Sequence, residues 1–241
     1  KGGAFGQVSQ QLNNLTVTGG ARLDYFSLIE EGLKISPRIS ASYKLGIITS
    51  LNASVGRYYQ APSYIWLIAN PSNSNLTPIG ATQFVAGIEH MLREDTKVSL
   101  EGYDKRYDHY PVSIVRSYLT MANTGAGFGG AEEGFASFGT DTLVSSGNGE
   151  SYGVELLVQK KYSDIPCYGT FSVSYNETRF ASLDGTRRPG SYDQQWILNL
   201  GGGYVFSEKW EASAKFRFAT GQPYTPYNAD GSQSGELYNS V

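Results

Sequence analysis

Few residues in this 241-residue chain have the types and spacing that chemistry needs. "GAGFGG", Gly125 to Gly130, fits G-x-G-x-x-G, the turn that lays a pyrophosphate on a helix N-terminus. That use requires a strand before it and a helix after it, and here "AEEGFASFG" follows, so the stretch reads as a glycine-rich surface loop. "NADGSQSGE", Asn228 to Glu236, offers spaced oxygen ligands but lacks the 12-residue pattern of an EF-hand loop. His90 and His109 fall near opposite ends of neighbouring elements and lack the third ligand of a zinc site. Cys167 is the only cysteine, which excludes an intrachain disulfide and a cysteine metal cluster. No nucleophile elbow or Ser–His–Asp order is legible, so a protease or lipase reading is unsupported. We expect no catalytic residue, no metal and no cofactor.

The charges carry more information. Arg22, Arg38, Lys44, Glu101, Lys105, Glu155, Lys215 and Arg217 stand inside stretches where every second residue is apolar. "WEASAKFRFA" sets Trp210, Ala212, Ala214, Phe216 and Phe218 against Glu211, Ser213, Lys215 and Arg217. A period of two is a strand with unlike faces. The pattern predicts ten strands, at residues 3–10, 14–26, 35–45, 50–60, 81–92, 95–109, 150–161, 168–180, 192–206 and 209–219.

Strands of about ten residues exceed the usual five or six of a soluble sandwich. They match what a bilayer-crossing barrel strand needs, about 9–11 residues. The longest apolar run, "YIWLIA" from Tyr64 to Ala69, is far short of a membrane helix. Short turns near 11–13, 46–49, 92–95, 162–167 and 206–209 alternate with longer loops at 27–34, 61–80, 110–148 and 181–190. In an up-and-down sheet this places all the short turns at one rim, the asymmetry of an outer-membrane barrel. Aromatics at 13%, with 18 Tyr and 29 Gly, suit strands. A net charge of −3 gives no bulk attraction for nucleic acid.

Trp196, Leu198, Leu200, Phe171, Val173, Phe216 and Phe218 are therefore expected to face lipid, and the charged set a wet or plugged interior. Asp104 is the exception on an apolar face and is expected above the hydrocarbon. Tyr58, Tyr59 and Gln60 end a strand before "APSYIWL", and with Tyr64 and Trp66 they are candidates to stack on a solute at the barrel mouth. The competing reading of these rings is an interfacial girdle with loop packing.

"SPRISASYKL" (36–45), "TSLNASVGRYYQAPS" (49–63), "GATQFVAGIEHML" (80–92) and "EDTKVSLEGYDKRYDHYPV" (94–112) resemble the mid-to-late barrel of TonB-dependent outer-membrane receptors. "NGESYGVELLVQKKYSD", "YGTFSVSYNETRF" and "RPGSYDQQWILNLGGGYVFSEKWEASAKFRFATGQPYTPY" resemble its later hairpins, in a style similar to receptors of Bacteroidota. The resemblance implies a transmembrane antiparallel up-and-down β-barrel of 22 strands closed by a plug. Residues 1–241 would be a partial barrel domain, with plug and last strands outside the chain. It further implies the outer membrane of a Gram-negative bacterium, contact with lipid, energy from a TonB complex through an N-terminal segment, and import of a scarce or large solute such as a siderophore, glycan, peptide or cofactor. A passive porin or a surface adhesion barrel shares the architecture and stays open as an alternative.

Overall fold

The computed structural model describes residues 1–123 and 140–223. "GAGFGG" and "NADGSQSGE" lie outside the described residues.

Alternation becomes one antiparallel sheet. Its strands are β1 (Gly2–Leu12), β2 (Leu15–Tyr25), β3 (Leu33–Lys44), β4 (Thr49–Gln60), β5 (Ile79–Arg93), β6 (Thr96–Ser113), β7 (Leu143–Lys160), β8 (Cys167–Ala181), β9 (Arg187–Pro189), β10 (Trp196–Ser207) and β11 (Trp210–Ala219). Each pairs with its neighbour in sequence, except that the short β9 lies beside β8 and β10 takes the next place in the wall. Among the described residues β1 bonds only β2, and β11 only β10, so the 11-stranded sheet is open at both edges there. An unpaired edge is not tolerated in hydrocarbon.

The turns follow from their residues. β1 and β2 are joined by Asn13 and Asn14, with Asn13 at φ 53, a left-handed conformation that asparagine accepts readily. Glu94 with Asp95, and Glu208 with Lys209, make equally tight turns. Residues 161–166 join β7 to β8 by a somewhat longer turn. The tight turns and the long connections alternate as the sequence predicts, so the long ones share a rim.

Several boundaries differ from expectation. β6 runs on to Ser113 and β7 starts at Leu143, each longer than the alternation suggested. β6 changes register between Tyr107 and Tyr110, where His109 takes φ 57. Such a bulge inserts a residue and re-aims the strand, which breaks the period of two that the reading relied on. β10 begins at Trp196, and "YIWLIA" forms a six-residue helix, α1 (Tyr64–Ala69). A helix this short is held by what it packs on. Trp66 and Leu67 are its buried residues.

Among the described residues the wall has no second sheet against it. Trp196, Leu200, Phe216 and Phe218 are each about half exposed. The buried core lies at the long-loop rim: Phe26 and Ile29 from one connection, Trp66, Leu67 and Leu76 from the next, then Ile79, Met121 and Leu143. Asn73, fully buried, stitches them. Its Nδ2 donates to the carbonyls of Trp66 (2.9 Å) and Asp141 (3.0 Å), and its Oδ1 accepts the N–H of Leu143 (2.8 Å). A buried side-chain amide satisfied on both ends holds two loops in one arrangement. Among the described residues no helix is long and apolar enough to cross a membrane, which says nothing of crossing by strands.

Candidate functional site

Strand register assigns the faces. Leu15, Tyr43, Leu51, Ile88, Leu100, Leu156, Val173, Leu198 and Phe218 lie on one side, each level with or one pleat from its cross-strand neighbour. Arg22, Arg38, Lys44, Glu101, Lys105, Glu155, Lys215 and Arg217 fall on the other. The strands thus collect these charges, scattered through nearly 200 residues of sequence as roughly one or two per strand, onto one polar wall.

Within that wall most of the charges make no ion pair among the described residues. Arg22 is the exception: its Nε and an Nη donate to the Asp24 carboxylate at 2.8 and 2.9 Å. Lys105 lies over the Tyr103 ring at 4.6 Å. Glu101 and Glu155 are direct cross-strand partners, both exposed, and neither makes an ion pair among the described residues. Like charges placed opposite each other on a sheet face are unfavourable. Nothing in the wall itself relieves this pair.

The candidate mouth residues separate. Tyr58 and Gln60 are on the polar face, exposed, at the long-loop end of β4. Tyr64 stands half exposed on α1. Tyr59 lies on the opposite, apolar face, because neighbours on a strand alternate; there its ring stacks with the Arg57 guanidinium at 4.8 Å. Trp66 is 6% exposed, inside the loop core, so its indole packs the rim. The five candidates thus divide: Tyr58, Gln60 and Tyr64 are exposed, Tyr59 is half-buried on the apolar face, and Trp66 is buried.

The structure adds rings that the sequence reading passed over. Tyr110 and Phe180 meet edge to face at 5.0 Å, and Tyr107 joins both at 5.9 and 5.7 Å. The Tyr103 ring lies across Gly153 of the next strand, so closely that a Cβ there would sit 2.7 Å from the Tyr103 hydroxyl. Glycine at that position lets the ring lie flat along the wall.

The remaining titratable groups are held by local partners. His90 shares a hydrogen bond with Thr49 (2.7 Å), and His109 with Asp108 (2.5 Å). Cys167 opens β8, half-buried. Asp104 is indeed on the apolar face, where Arg106 Nε donates to it at 2.9 Å. In the β5–β6 turn, hydrogen bonds from Lys160, then Ser163 and Thr96, hold the Asp95 carboxyl well below the usual range. In the loop before β10, burial pushes Asp193 upward although the Thr178 N–H donates to it at 3.0 Å.

Residues 1–239 match the family model described as TonB dependent receptor-like, beta-barrel. No curated protein matches the chain. Among solved structures, the ferripyoverdine receptor of the outer membrane of Pseudomonas aeruginosa is similar at 16% identity and TM-score 0.64, over 89% of this chain and 27% of its own. The FrpB iron transporter from Neisseria meningitidis is similar at 14% identity and TM-score 0.65, over 89% and 32%. The alcaligin outer-membrane receptor FauA from Bordetella pertussis is similar at 14% identity and TM-score 0.63, over 90% and 37%. The chain spans about a third of the length of these proteins, and at such identities the likeness is one of fold. The match along nearly the whole sequence and the open two-faced wall agree: the chain belongs to the TonB-dependent receptors, as part of their outer-membrane β-barrel.

Proposed function

We propose that the chain forms part of the wall of an active importer in which a plug domain fills the barrel and a TonB complex supplies the energy. One observation carries this reading: Glu101 faces Glu155 across adjacent strands on the polar wall, and neither makes an ion pair among the described residues. Two exposed carboxylates so placed want basic groups from whatever fills the interior. A plug bearing arginine or lysine supplies them, whereas an open water channel leaves the repulsion in place. The cost of separating such contacts in a partly hydrated interface is modest, which suits a plug that seals at rest and shifts when pulled. Import of this kind needs binding and gating and no chemistry in the wall.

Tyr58, Gln60 and Tyr64 are the solute contacts in this reading. They stand at the rim where the stitched loops gather, and rings there can stack on a flat or cyclic solute. The similarity to an iron transporter and to a ferripyoverdine receptor makes chelated iron the first solute to try.

The test uses the full-length receptor in its native host. Uptake of a radiolabelled ferric siderophore is compared between receptor-positive and receptor-null cells, with and without a protonophore. Receptor-dependent uptake abolished by the protonophore supports active import. Receptor-dependent entry that the protonophore leaves unchanged supports a porin, and surface binding without entry supports an adhesion barrel.

A further inference from the structure

The charges of the polar wall are sorted by height. Arg38, Gly56, Gln83, Lys105, Ser151 and Thr178 stand side by side in one row from β3 to β8. This row holds two cations and no carboxylate. The row one pleat toward the long-loop rim, through Tyr58 and Tyr107, has no carboxylate either, and nor has the row one pleat toward the short-turn rim, through Ser54 and Tyr103. Glu101 and Glu155 come only two pleats below Lys105. Above the belt, Asp24 is engaged by Arg22. Beside it, the buried Asp193 accepts the Thr178 N–H at 3.0 Å. Arg38 and Lys105 pair with neither, nor with any other carboxylate among the described residues.

Two tyrosines lie along this belt. Tyr58 leans over Gly56, where a Cβ would fall 2.7 Å from its hydroxyl. Gly56 is the cross-strand partner of both Arg38 and Gln83, so the phenol end of the ring occupies the space between a guanidinium and an amide. Tyr103 lies over Gly153 in the same manner, with the Lys105 ammonium 4.6 Å from its ring centre. Arg38 and Tyr58 are exposed, Gln83 and Lys105 half-buried, and the Gln83 amide makes no hydrogen bond among the described residues. Arg38 and Lys105 are three strand spacings apart, about 14 Å between Cα atoms, and both side chains are long. A guanidinium fork takes a carboxylate or phosphate in two parallel bonds, and a ring laid along a wall stacks on another ring.

We propose that Arg38, Gln83 and Lys105, together with the Tyr58 ring, set the charge of the solute: it is an anion that carries at least two acidic groups and a flat ring. The acidic groups sit on Arg38 and Lys105, Gln83 hydrogen-bonds between them, and the ring stacks on Tyr58. Glu101 and Glu155 repel such a solute from below and fix the depth at which it rests. The inference rests on the import reading and names the class of solute for the same mouth. The competing occupant is an acidic stretch of the plug, which would answer the two cations but leave the ring and the free amide unused.

The experiment measures binding of radiolabelled iron chelates to the full-length receptor in detergent by equilibrium dialysis. The probes are a ferric tris-catecholate, which is anionic and has rings, ferric citrate, which is anionic without rings, and a ferric trihydroxamate, which is uncharged. We expect affinity to fall in that order, and added salt to weaken the two anions alone. Arg38→Gln with Lys105→Gln should weaken the tris-catecholate at least about tenfold, the scale of one charge-assisted contact, and remove its salt dependence. Arg38→Lys with Lys105→Arg keeps the charges and should keep most of the binding. Tyr58→Ala should weaken the tris-catecholate and leave ferric citrate unchanged. An unchanged heat-shifted band on electrophoresis confirms that each variant is folded. Binding of the trihydroxamate as tight as that of the anions overturns the proposal, as does failure of both anions to bind. Anion binding unchanged in the glutamine pair overturns it too, and faster dye entry into cells carrying that pair then assigns the two cations to the plug. Binding in detergent needs no energy source, so the two readings fail separately. Receptor-dependent uptake that survives a protonophore would overturn import and leave the anion site standing, and energised uptake of an uncharged chelate would do the reverse.

Discussion

Arg57 and Asp108 meet in a two-point ion pair, with both Nη groups of the arginine 2.6 Å from the two carboxylate oxygens. They come from β4 and β6, and between them on β5 stands Gly80. A Cβ on Gly80 would fall 2.1 Å from an Arg57 Nη and 2.4 Å from Asp108 Oδ1. The glycine is the gap through which two non-adjacent strands are joined, and it does so next to the β6 bulge at His109. Replacing Gly80 by Ala should break the fork. A double-mutant cycle with Arg57→Ala and Asp108→Ala should show coupling of about 1 kcal/mol, the upper end for a partly exposed pair with good geometry. Urea unfolding of the full-length receptor measures it; additive single effects would mean that the pair contributes nothing.

The wall offers a comparison of its two faces within one hairpin. Leu200 lies opposite Phe171 and Phe216 on the apolar face, while its neighbour Asn199 lies opposite Ser172 and Arg217 on the polar one. Leu200→Arg, near the middle of its strand, should cost about 2–4 kcal/mol in bilayer-folded protein. Asn199→Lys should cost well under that, since water or polar partners meet it. Equal costs at the two positions would contradict the assignment of faces.

Both faces were legible because the period of two needs only residue types. Strand order followed too, since each tight turn joins neighbours. What escaped the reading has physical causes. The bulge at His109 shifts the phase of β6, so residues beyond Tyr107 could not be placed by alternation. Tyr59 was grouped with Tyr58 by adjacency, although adjacency on a strand means opposite faces. Trp66 looked available because a loop aromatic carries no mark of burial, and its core is assembled from connections far apart in sequence. Asn73 was invisible for the same reason: its partners are Trp66, Asp141 and Leu143, and nothing local distinguishes it from its neighbours in "PSNSN". The charged wall was legible as a set, but the juxtaposition of Glu101 with Glu155 required the register.

Asn73 should be the position at which the rim is most sensitive. Asn73→Ala removes hydrogen bonds to two carbonyls and one N–H that are shielded from water, a cost of about 2–4 kcal/mol to the loop arrangement. Asn73→Asp should be worse, because it aims carboxylate oxygens at the carbonyls of Trp66 and Asp141. Limited proteolysis on intact cells checks this: both variants should be nicked faster in the loops while the barrel stays folded. Cleavage at the wild-type rate would show that the loop core holds without its hub.

Asp95 ties the β5–β6 turn to the β7–β8 turn through Lys160 and Ser163, and its backbone carbonyl accepts the Lys161 N–H at 2.8 Å. Its carboxyl titrates below the ordinary 3.8 in the folded protein. A lowered folded value means the tie is fully present above the ordinary range and is lost as pH falls below it. Protection of the Lys161 amide against hydrogen exchange, corrected for intrinsic rates, should therefore be level near neutrality and decline below about pH 4. Asp95→Asn should lower protection at neutral pH and flatten the acid decline. A wild-type profile without that decline would show that the carboxylate is not what holds the two turns together.

The opposed carboxylates give the sharpest check on what fills the barrel. If basic plug residues neutralise Glu101 and Glu155, then Glu101→Gln with Glu155→Gln removes attraction across the interface as well as repulsion within the wall. With the plug present, the first effect wins: the seal loosens, and adding Arg217→Gln should loosen it further by removing a contact of the other sign. Without a plug only the repulsion is lost, so the same pair of changes should make the barrel slightly more stable and leave permeability unaltered. Entry of a small dye into intact cells, at equal surface expression, separates the two. The plugged reading expects faster entry in the variants than in wild type, together with easier release of the plug in urea. Unchanged dye entry accompanied by a raised unfolding midpoint would mean that the polar wall of β6 and β7 faces water, and that the importer reading has lost the observation that carries it.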